Sequence, residues 1–406
     1  MNVRRLYADP VLFWLCLSVS LLGLVAIWDA GYARSGVSGS VLPREFVSQS
    51  VYLVVAVGAG WLCTFIPRKK WNGLAWVGLI LGFAALLAVR LPEVGQSVGG
   101  AQRWIKVGSM TVQPAEFVKL AAIMFLAATM ANHKPWRHPK KRLKNIGERI
   151  NRVWIPKFKR SFPFLLVLVL AVLVERQPDL ATAGVVVAAS VAIISVAGVT
   201  RKSLVYLALG AVLFVGFAVV EQPYRLERFK VHSARWEQQN RLDKGYQTVI
   251  SETALASGGL FGVGLGNGQA KHRLPAPTTD FVLTTVGEEL GLVGVLVIVM
   301  MLATIVWRMF WLAARSKDVF GRLALVGIGT WIGVQTCTNV VMVNGSLPPI
   351  GIPLPFVSYG GSSLLALWMA VGISMSFAAQ ESEKEVSEPE ADRYGWRDRR
   401  PRVSRS

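Results

Sequence analysis

Residues 291–312, GLVGVLVIVMMLATIVWRMFWL, form an apolar run whose single charge is Arg308, near its end. A helix of about 20 such residues spans the hydrocarbon core of a bilayer. The same pattern recurs along the chain in residues 11–27, 46–66, 71–89, 114–131, 162–174, 180–199, 204–220, 323–343 and 362–379. The segment 162–174 is too short to cross alone, so its helix should extend by a turn or two. The pattern predicts an all-α polytopic membrane protein with about ten transmembrane helices.

The composition agrees with a membrane protein. Of the 406 residues, 53% are hydrophobic and only 17% are charged, which is too little charge for a soluble surface of this size. A net charge of +20 would suit a nucleic acid, but the basic residues lie mostly in short loops between apolar runs, so we expect no nucleic-acid partner. Cys16, Cys63 and Cys337 lie inside apolar runs and indicate core positions, without a disulfide or a metal site.

The basic loops predict the orientation of the chain. Residues 133–161 carry eleven Lys/Arg against one acid, Glu148, and residues 68–70, 200–202 and 315–322 are also basic. Because positive loops stay in the cytoplasm, both termini should be cytoplasmic and the inverted topology is rejected. Arg4 and Arg5 precede an apolar run without a small-residue cleavage site, which predicts a first span rather than a cleaved signal peptide.

This topology leaves one large extracytoplasmic loop, residues 221–280, between helices 7 and 8. Long loops cross the membrane largely regardless of their charge, so its eight Lys/Arg and six Asp/Glu do not contradict the orientation. Residues 1–381 then form the membrane domain. Residues 382–406 run acidic and then basic with no apolar face, which predicts a disordered cytoplasmic tail that could dock a partner.

A first polar cluster precedes the fourth apolar run. Pro114 suits the first turn of a helix, which places Glu116 and Lys119 three residues apart on one face. Two interpretations stay open. The two charges form an internal ion pair that lets both lie in the membrane, or they belong to a site in which Arg103 and Lys106 bind a phosphate group near the membrane surface.

The large loop contains a second cluster. Residues 258–268 hold six glycines in eleven positions, which permits either a flexible loop or close approach of backbone to a ligand. No Lys-Ser/Thr follows at the spacing of a nucleotide-binding loop. The loop ends at Asp280, which is either a helix N-cap or a carboxylate placed at the membrane boundary to take a proton from a sugar hydroxyl.

A third cluster, residues 339–363, has four prolines, four glycines and no charge. Irregular backbone at membrane depth must be buried in protein or line a wet cavity. The segment is therefore either a structural re-entrant hairpin or the wall of a cavity.

Together these clusters resemble the SEDS family (shape, elongation, division and sporulation). The motifs that carry the resemblance are GAQRWI at 100–105, QPAE at 113–116, QPDL at 177–180, TDF at 279–281, GEELG at 287–291 and PFVSYGGSS at 355–363. They cover nearly the whole membrane region. Ala115, Ala181 and Thr278 depart from the residues usual in the family, and none of these departures removes a charge.

The resemblance implies a peptidoglycan glycosyltransferase of the inner membrane that polymerises lipid II on the outer face and releases undecaprenyl pyrophosphate. It implies a class B penicillin-binding protein, a transpeptidase, as partner, together with other division proteins and membrane lipid. Asp280 matches the family's essential acid and would act as general base on the acceptor 4-hydroxyl, with inversion at the anomeric carbon. Arg103, Glu116 and Lys119 match its functional polar set. Whether a divalent cation, Mg²⁺ or Mn²⁺, holds the pyrophosphate stays open.

The remaining residues that we predict to bind substrate come from the same motifs and from the large loop. They are Lys106, Asp179, Tyr246, Gln247, Glu288, Ser358, Tyr359 and Ser362. The motif GLGNG at 264–268 and the tail favour the FtsW-like division branch, whereas GIPLP at 351–355 also occurs in the RodA-like elongation branch. A lipid II flippase and a non-catalytic scaffold are the alternative functions.

Overall fold

The computed structural model describes residues 8–35, 42–98, 101–108, 110–132, 146–151, 155–198 and 201–387. Within these ranges the chain is mainly helical. Its elements in chain order are α1 (Pro10–Ser35), α2 (Arg44–Thr64), α3 (Arg68–Ala88), β1 (Gly95–Val98), β2 (Ala101–Val107), β3 (Met110–Val112), α4 (Pro114–Ala131), α5 (Ile146–Arg149), α6 (Ile155–Glu175), α7 (Leu180–Val196), α8 (Arg201–Glu221), α9 (Pro223–Ser233), α10 (Gln238–Arg241), α11 (Tyr246–Gly258), α12 (Ala270–Arg273), α13 (Val282–Arg315), α14 (Val319–Val343) and α15 (Gly361–Ser387).

The predicted polytopic helical fold is confirmed, because each of the ten apolar segments lies in a helix. Among the described residues, seven helices are long and apolar enough to cross a bilayer, and α8 with α9 forms an eighth candidate that is bent by 93°. The apolar part of α6 (Phe162–Glu175) and α7 are shorter than a full span. The exact number of ten crossings stays a prediction.

Several helices extend beyond the predicted bounds, each for a local reason. Helix α13 begins at Val282 because two helical stretches join across Gly291, whose φ of 67° and ψ of −165° break the helical path. Helix α6 begins at Ile155, which supplies the turns that the short segment lacked. Helix α15 continues to Ser387, past the predicted start of the tail. Residues 388–406 lie outside the described residues, so a disordered tail stays a prediction.

The helices pack around α4 and α15, whose apolar stretches are the most enclosed of the candidate spans. Helix α15 lies against α2 at very short range. A Cβ on Gly372 would come within 1.9 Å of the Gly60 carbonyl oxygen, and a Cβ on Gly60 within 2.5 Å of the Trp368 carbonyl oxygen. Small residues permit such close backbone approach between helices in a membrane.

The sequence did not predict the small antiparallel sheet between α3 and α4. Its strand order is β1-β2-β3, with an irregularity in the first pair between Gln96 and Ser97. Gly108 has a φ of 63° after β2, a conformation that glycine adopts readily, and β3 then pairs with β2. Strand β2 carries Arg103 and Lys106, so the sheet fixes two of the predicted cations.

Candidate functional site

Asp280 lies in the turn immediately before α13. The N-cap residue of that helix is Phe281, and no side chain makes a capping hydrogen bond there, so Asp280 does not cap the helix. Its carboxylate faces Gly351, where a Cβ would lie 3.6 Å from Asp280 Oδ2. The side chain is partly exposed and accepts no hydrogen bond from another described residue, which leaves both oxygens available to a ligand.

The backbone around Asp280 is held by three donors from other parts of the chain. The carbonyl oxygens of residues 278–280 accept hydrogen bonds, in order, from Tyr359 N at 2.9 Å, Ser358 Oγ at 2.6 Å and Asn339 Nδ2 at 3.0 Å. Asn339 Nδ2 also donates to the Ile352 carbonyl at 2.8 Å. Because three consecutive carbonyls are fixed, the position of the Asp280 side chain is set by α14 and the third cluster.

Ser358 is itself anchored by its neighbours. Its hydroxyl accepts a hydrogen bond from Leu354 N at 2.8 Å, and its carbonyl accepts one from Gln49 Nε2 at 3.3 Å. Gln49 Oε1 in turn accepts a hydrogen bond from Gly360 N at 3.1 Å. The non-helical part of the third cluster is thus tied both to α2 and to the turn that carries Asp280. The start of this segment also lines two cavities, as the cavity-wall interpretation expects, and the re-entrant hairpin stays a prediction.

Burial raises the pKa of Asp280 to about 6, and a nearby positive charge, Arg103, partly opposes the shift, while Asp179 adds to it. At neutral pH most of the population is therefore ionised, yet the carboxylate is more basic than an exposed one. These are the properties that general-base catalysis near neutral pH requires.

Arg103 lies beside this carboxylate and is held by the motif before α7. Its Nε donates to the Gln177 carbonyl at 2.8 Å, and its Nη2 donates to the Pro178 carbonyl. Asp179, which follows, caps α7 by accepting from Thr182 N at 3.1 Å. The motif therefore orients Arg103 through two carbonyls and starts a helix through its carboxylate.

Arg103 also opens into a cavity of about 620 Å³, which we call the apolar cavity. It lies between β2, α7, α8, α9, α14 and the start of the third cluster. Its walls are aliphatic, and its charged residues are all arginines. Among the lining residues are Leu180, Val185, Val215, Val219, Arg103, Arg225 and Arg228. Aliphatic walls suit a lipid chain, and guanidinium groups suit a phosphate.

Two of these arginines were not predicted. Arg225 is buried and donates through Nη1 to Glu175 Oε1 at 2.6 Å and to the Ala218 carbonyl at 2.7 Å. Its guanidinium is thus largely committed to α6 and α8. Arg228 is exposed and donates to the Pro349 carbonyl at 2.8 Å. The arginines of the large loop were visible in the sequence, but nothing there indicated which of them line a cavity.

A second cavity of about 480 Å³, the polar cavity, lies within the large loop, between α9, α11 and the segment after α12. Tyr246 and Gln247, both predicted to bind substrate, are part of its lining. Tyr224 and Arg228 line both cavities, so the two cavities are neighbours. Arg103 of β2 and Tyr246 and Gln247 of the large loop are in this way brought to adjoining cavities.

Glu116 and Lys119 form the ion pair that their spacing predicted. Lys119 Nζ lies 2.9 Å from Glu116 Oε1, and the two side chains are 1% and 3% exposed. Lys119 Nζ also donates to Gln335 Oε1 at 3.0 Å and lies 5.0 Å from the centre of the Trp331 ring. The pair lines neither cavity. We therefore interpret it as internal support, and contact with substrate stays a prediction.

Four other predicted residues are engaged elsewhere or point to solvent. The Glu288 carboxylate accepts hydrogen bonds from Gln269 N at 3.0 Å and Ala270 N at 2.8 Å. Ser362 Oγ accepts a hydrogen bond from Gln113 N at 3.0 Å. Backbone N–H groups thus hold these side chains in place, and substrate contact by Glu288 and Ser362 stays a prediction. Lys106 is exposed on β2 outside both cavities, and Tyr359 is partly buried with its backbone N–H holding the Asp280 turn.

Sequence reasoning missed a buried network centred on Lys271. Its Nζ lies 2.7 Å from Asp29 Oδ1 and 2.7 Å from Glu289 Oε1, which joins α1, α12 and α13. Glu289 also accepts from Gly266 N at 2.9 Å and Gly268 N at 3.0 Å. The glycine-rich run is therefore packed against α13 of the same chain, and its approach to a ligand stays a prediction.

Among the described residues, no three His, Cys, Asp or Glu lie close enough together to hold a metal ion. The charged groups of the apolar cavity are guanidiniums, which do not fit a divalent cation held by protein carboxylates. Whether Mg²⁺ or Mn²⁺ binds with the substrate stays open. The three cysteines are unpaired, with Cys16 and Cys63 buried and Cys337 exposed.

The long apolar helices and the arginine-lined apolar cavity define the chain as a multi-pass helical membrane protein. The model of the FtsW, RodA and SpoVE family, described as cell cycle protein, matches residues 10–383, and the chain belongs to this family. It is 33% identical to stage V sporulation protein E of Bacillus subtilis, over 93% of this chain and 98% of the relative.

Two further comparisons agree. The chain is 32% identical to a probable peptidoglycan glycosyltransferase FtsW of Dichelobacter nodosus, over 91% of this chain and 90% of the relative. A solved chain of a peptidoglycan synthase complex, described for its coordination of polymerization and crosslinking, superposes with a TM-score of 0.72 at 26% identity. That match covers 92% of this chain and 98% of the solved one.

Proposed function

We propose that this protein is a peptidoglycan glycosyltransferase that polymerises lipid II on the outer face of the inner membrane. Division is its proposed setting, because relatives named FtsW support that branch, and the RodA-like elongation role is the alternative. The observation that carries the proposal is the environment and position of the Asp280 carboxylate. It is a carboxylate with a raised pKa, fixed by three backbone hydrogen bonds and placed beside Arg103 of the apolar cavity.

The geometry supports an inverting transfer. Asp280 takes the proton of the acceptor 4-hydroxyl as that oxygen attacks the anomeric carbon of the donor. The bond from this carbon to the pyrophosphate oxygen breaks on the opposite face, and undecaprenyl pyrophosphate leaves. Arg103 and Arg228, which line the apolar cavity, offset the negative charge that develops on the leaving group. The aliphatic walls of α7 and α8 receive the polyprenyl chain.

The proposed reaction depends on the proposed topology. Both termini would be cytoplasmic, so the large loop and Asp280 would face the side on which cell-wall polymer is assembled. The similarity to a chain from a synthase complex supports a partner that crosslinks the product, which we propose to be a class B penicillin-binding protein. Other division proteins and the C-terminal tail would recruit this protein and its transpeptidase partner to the site of division.

A polymerisation assay tests the function directly. The purified full chain with its transpeptidase partner should convert fluorescent lipid II into glycan strands, and Asp280→Ala should abolish strand formation. Glu237→Gln, which alters an exposed acid of the same loop outside both cavities, is the matched control and should retain activity.

The same proteins separate polymerase from flippase. A flippase needs no base, so transport of fluorescent lipid II across vesicles would survive Asp280→Ala. Normal polymerisation by a folded Asp280→Ala variant would reject the base assignment. Absence of polymerisation by the wild-type pair, together with Asp280-independent transport, would favour the flippase. Retained polymerisation after removal of residues 382–406 would limit the tail to docking.

A further inference from the structure

We infer that the polar cavity holds the growing glycan strand while the next unit is added, an inference that rests on the proposed polymerase function. A polymerase that keeps its product between cycles needs a place for saccharides beyond the reacting pair. The polar cavity is formed by the large loop and by Pro349, and its α9 residues lie beyond the 93° bend that separates α9 from α8. Most of its lining residues carry polar or charged side chains, which suit a hydrated ligand better than a lipid chain.

The two cavities adjoin along the backbone segment 349–351, whose last residue faces Asp280. Pro349 lines the polar cavity, the next residue, Ile350, lines the apolar cavity, and Gly351 faces the Asp280 carboxylate. A donor whose lipid and pyrophosphate occupy the apolar cavity would therefore have its saccharides directed past Asp280. Tyr224 and Arg228, which line both spaces, mark the passage between them.

The lining of the polar cavity suits a sugar chain that bears acidic peptides. The rings of Tyr224 and Tyr246 offer flat apolar faces, and Gln247 offers an amide donor and acceptor. The cavity volume, about 480 Å³, lies within the range of small-molecule sites. These groups match saccharides better than an extended segment of a partner protein, which would need a row of backbone hydrogen-bonding groups.

Among the described residues, Arg273 is the arginine or lysine of this cavity that has no partner. The cavity also contains two acids, Glu227, which is bound to Lys244, and Asp243. Lys244 is bound to Glu227 at 2.5 Å, and Arg228 donates to the Pro349 carbonyl. The exposed Arg273 side chain has neither a hydrogen bond nor an ion pair with another described residue. A guanidinium lining a cavity without a carboxylate partner can bind a carboxylate of the stem peptide in two-pronged geometry.

The test measures strand length separately from coupling rate. The full chain with its transpeptidase partner is given fluorescent lipid II, and product lengths are resolved on a gel. We expect Arg273→Ala to release strands about tenfold faster, as for one lost charge-assisted hydrogen bond, and so to shorten them. The initial rate of lipid II consumption should stay near that of the wild type. Arg273→Lys, which keeps the charge, should give intermediate lengths.

Arg241→Ala is the matched control, because Arg241 is an exposed arginine of the same loop that lines neither cavity. Its strand lengths should equal those of the wild type. Unchanged lengths in Arg273→Ala would overturn the inference while leaving the polymerase function intact. A loss of initial rate equal to the loss of length would also overturn it, since Arg273 would then act in coupling.

Binding of soluble glycan fragments gives a readout that does not need activity. Fragments with stem peptides should bind the wild-type pair more tightly than Arg273→Ala, and fragments without peptides should show no such difference. Equal binding of peptide-bearing fragments to both proteins would reject the site. If the wild type fails to polymerise lipid II but binds fragments through Arg273, the proposed function falls and the binding site stands.

Discussion

Among single residues, Asp280 sets the expected dependence of the reaction on pH. A general base works only when ionised, and the pKa of this carboxylate is raised to about 6. Its protonated fraction grows as the pH falls through that value, so kcat/KM should decline on the acid side with a midpoint near pH 6. A pH–rate profile of lipid II polymerisation measures this limb, and a flat profile down to pH 5 would contradict the assignment.

Two neighbouring substitutions should move that limb in opposite directions. Arg103 lowers the pKa of Asp280 and Asp179 raises it. Arg103→Gln should therefore shift the acid limb to higher pH, and Asp179→Asn should shift it to lower pH. Asparagine also caps helices well, so the second variant keeps the start of α7. Limbs that move together, or not at all, would mean that these charges do not act on the base.

Asn339 should control catalysis through the position of Asp280. Its amide holds the Asp280 and Ile352 carbonyls at 3.0 and 2.8 Å. Asn339→Ala frees both, and a base displaced by about 1 Å costs on the order of 100-fold in rate. We expect kcat to fall while KM changes little, as steady-state kinetics would show. Asn344→Ala, at the exposed end of the same helix, is the control; a fall in stability without a fall in kcat would reject the positioning role.

At this level the sequence singled out Asp280 but could not choose between cap and base. The choice depends on where α13 begins, and the helix starts one residue later than a capping Asp280 would require. Asn339 lay at the edge of a recognised cluster, yet its role depends on a contact across 59 positions of the chain. Residue type indicates which chemistry is available, whereas packing decides which groups perform it.

Among the helices, the α2–α15 contact makes a sharp prediction about stability. Gly60→Ala would place a Cβ 2.5 Å from the Trp368 carbonyl oxygen, so the helices must separate. Gly58, on the same helix, has open space, and Gly58→Ala removes only the helix cost of glycine, about 1 kcal/mol. Thermal unfolding in detergent should show Gly60→Ala less stable and Gly58→Ala equal or more stable than the wild type. Equal stability of the two variants would mean that α2 and α15 can separate at this contact with little loss of unfolding free energy.

The apolar runs predicted the helices well because twenty apolar residues have few other stable states in a bilayer. Their ends were predicted less well. The first nine residues of α13 lie before its apolar run, and their helix depends on packing of Glu288 and Glu289 against the glycine-rich segment and the start of α12. The sheet before α4 has only short strands, the shortest of three residues, which is too little for a reliable alternation pattern.

For the whole molecule, the Lys271 network is a set of contacts that could not be predicted from the sequence alone. Lys271 and Asp29 are 242 positions apart, and each alone resembles an ordinary loop or helix-end charge. Only the fold brings them together with Glu289. Removing one partner from such a buried set leaves a charge uncompensated, at a cost of about 3–5 kcal/mol. The network therefore ties the large loop to α1 and α13.

The orientation of the whole chain can be tested directly. Polymerisation at the outer face requires the large loop to lie on that side. With Cys337 replaced by serine, the remaining cysteines, Cys16 and Cys63, are buried and should not react. Gln238→Cys places an exposed thiol in the large loop, and Lys69→Cys places one in the first turn of α3, within the basic segment 68–70. A membrane-impermeant maleimide should label Gln238→Cys in intact spheroplasts and Lys69→Cys only after permeabilisation, because basic loops stay in the cytoplasm. The reverse pattern would put Asp280 on the cytoplasmic side and would exclude polymerisation at the outer face.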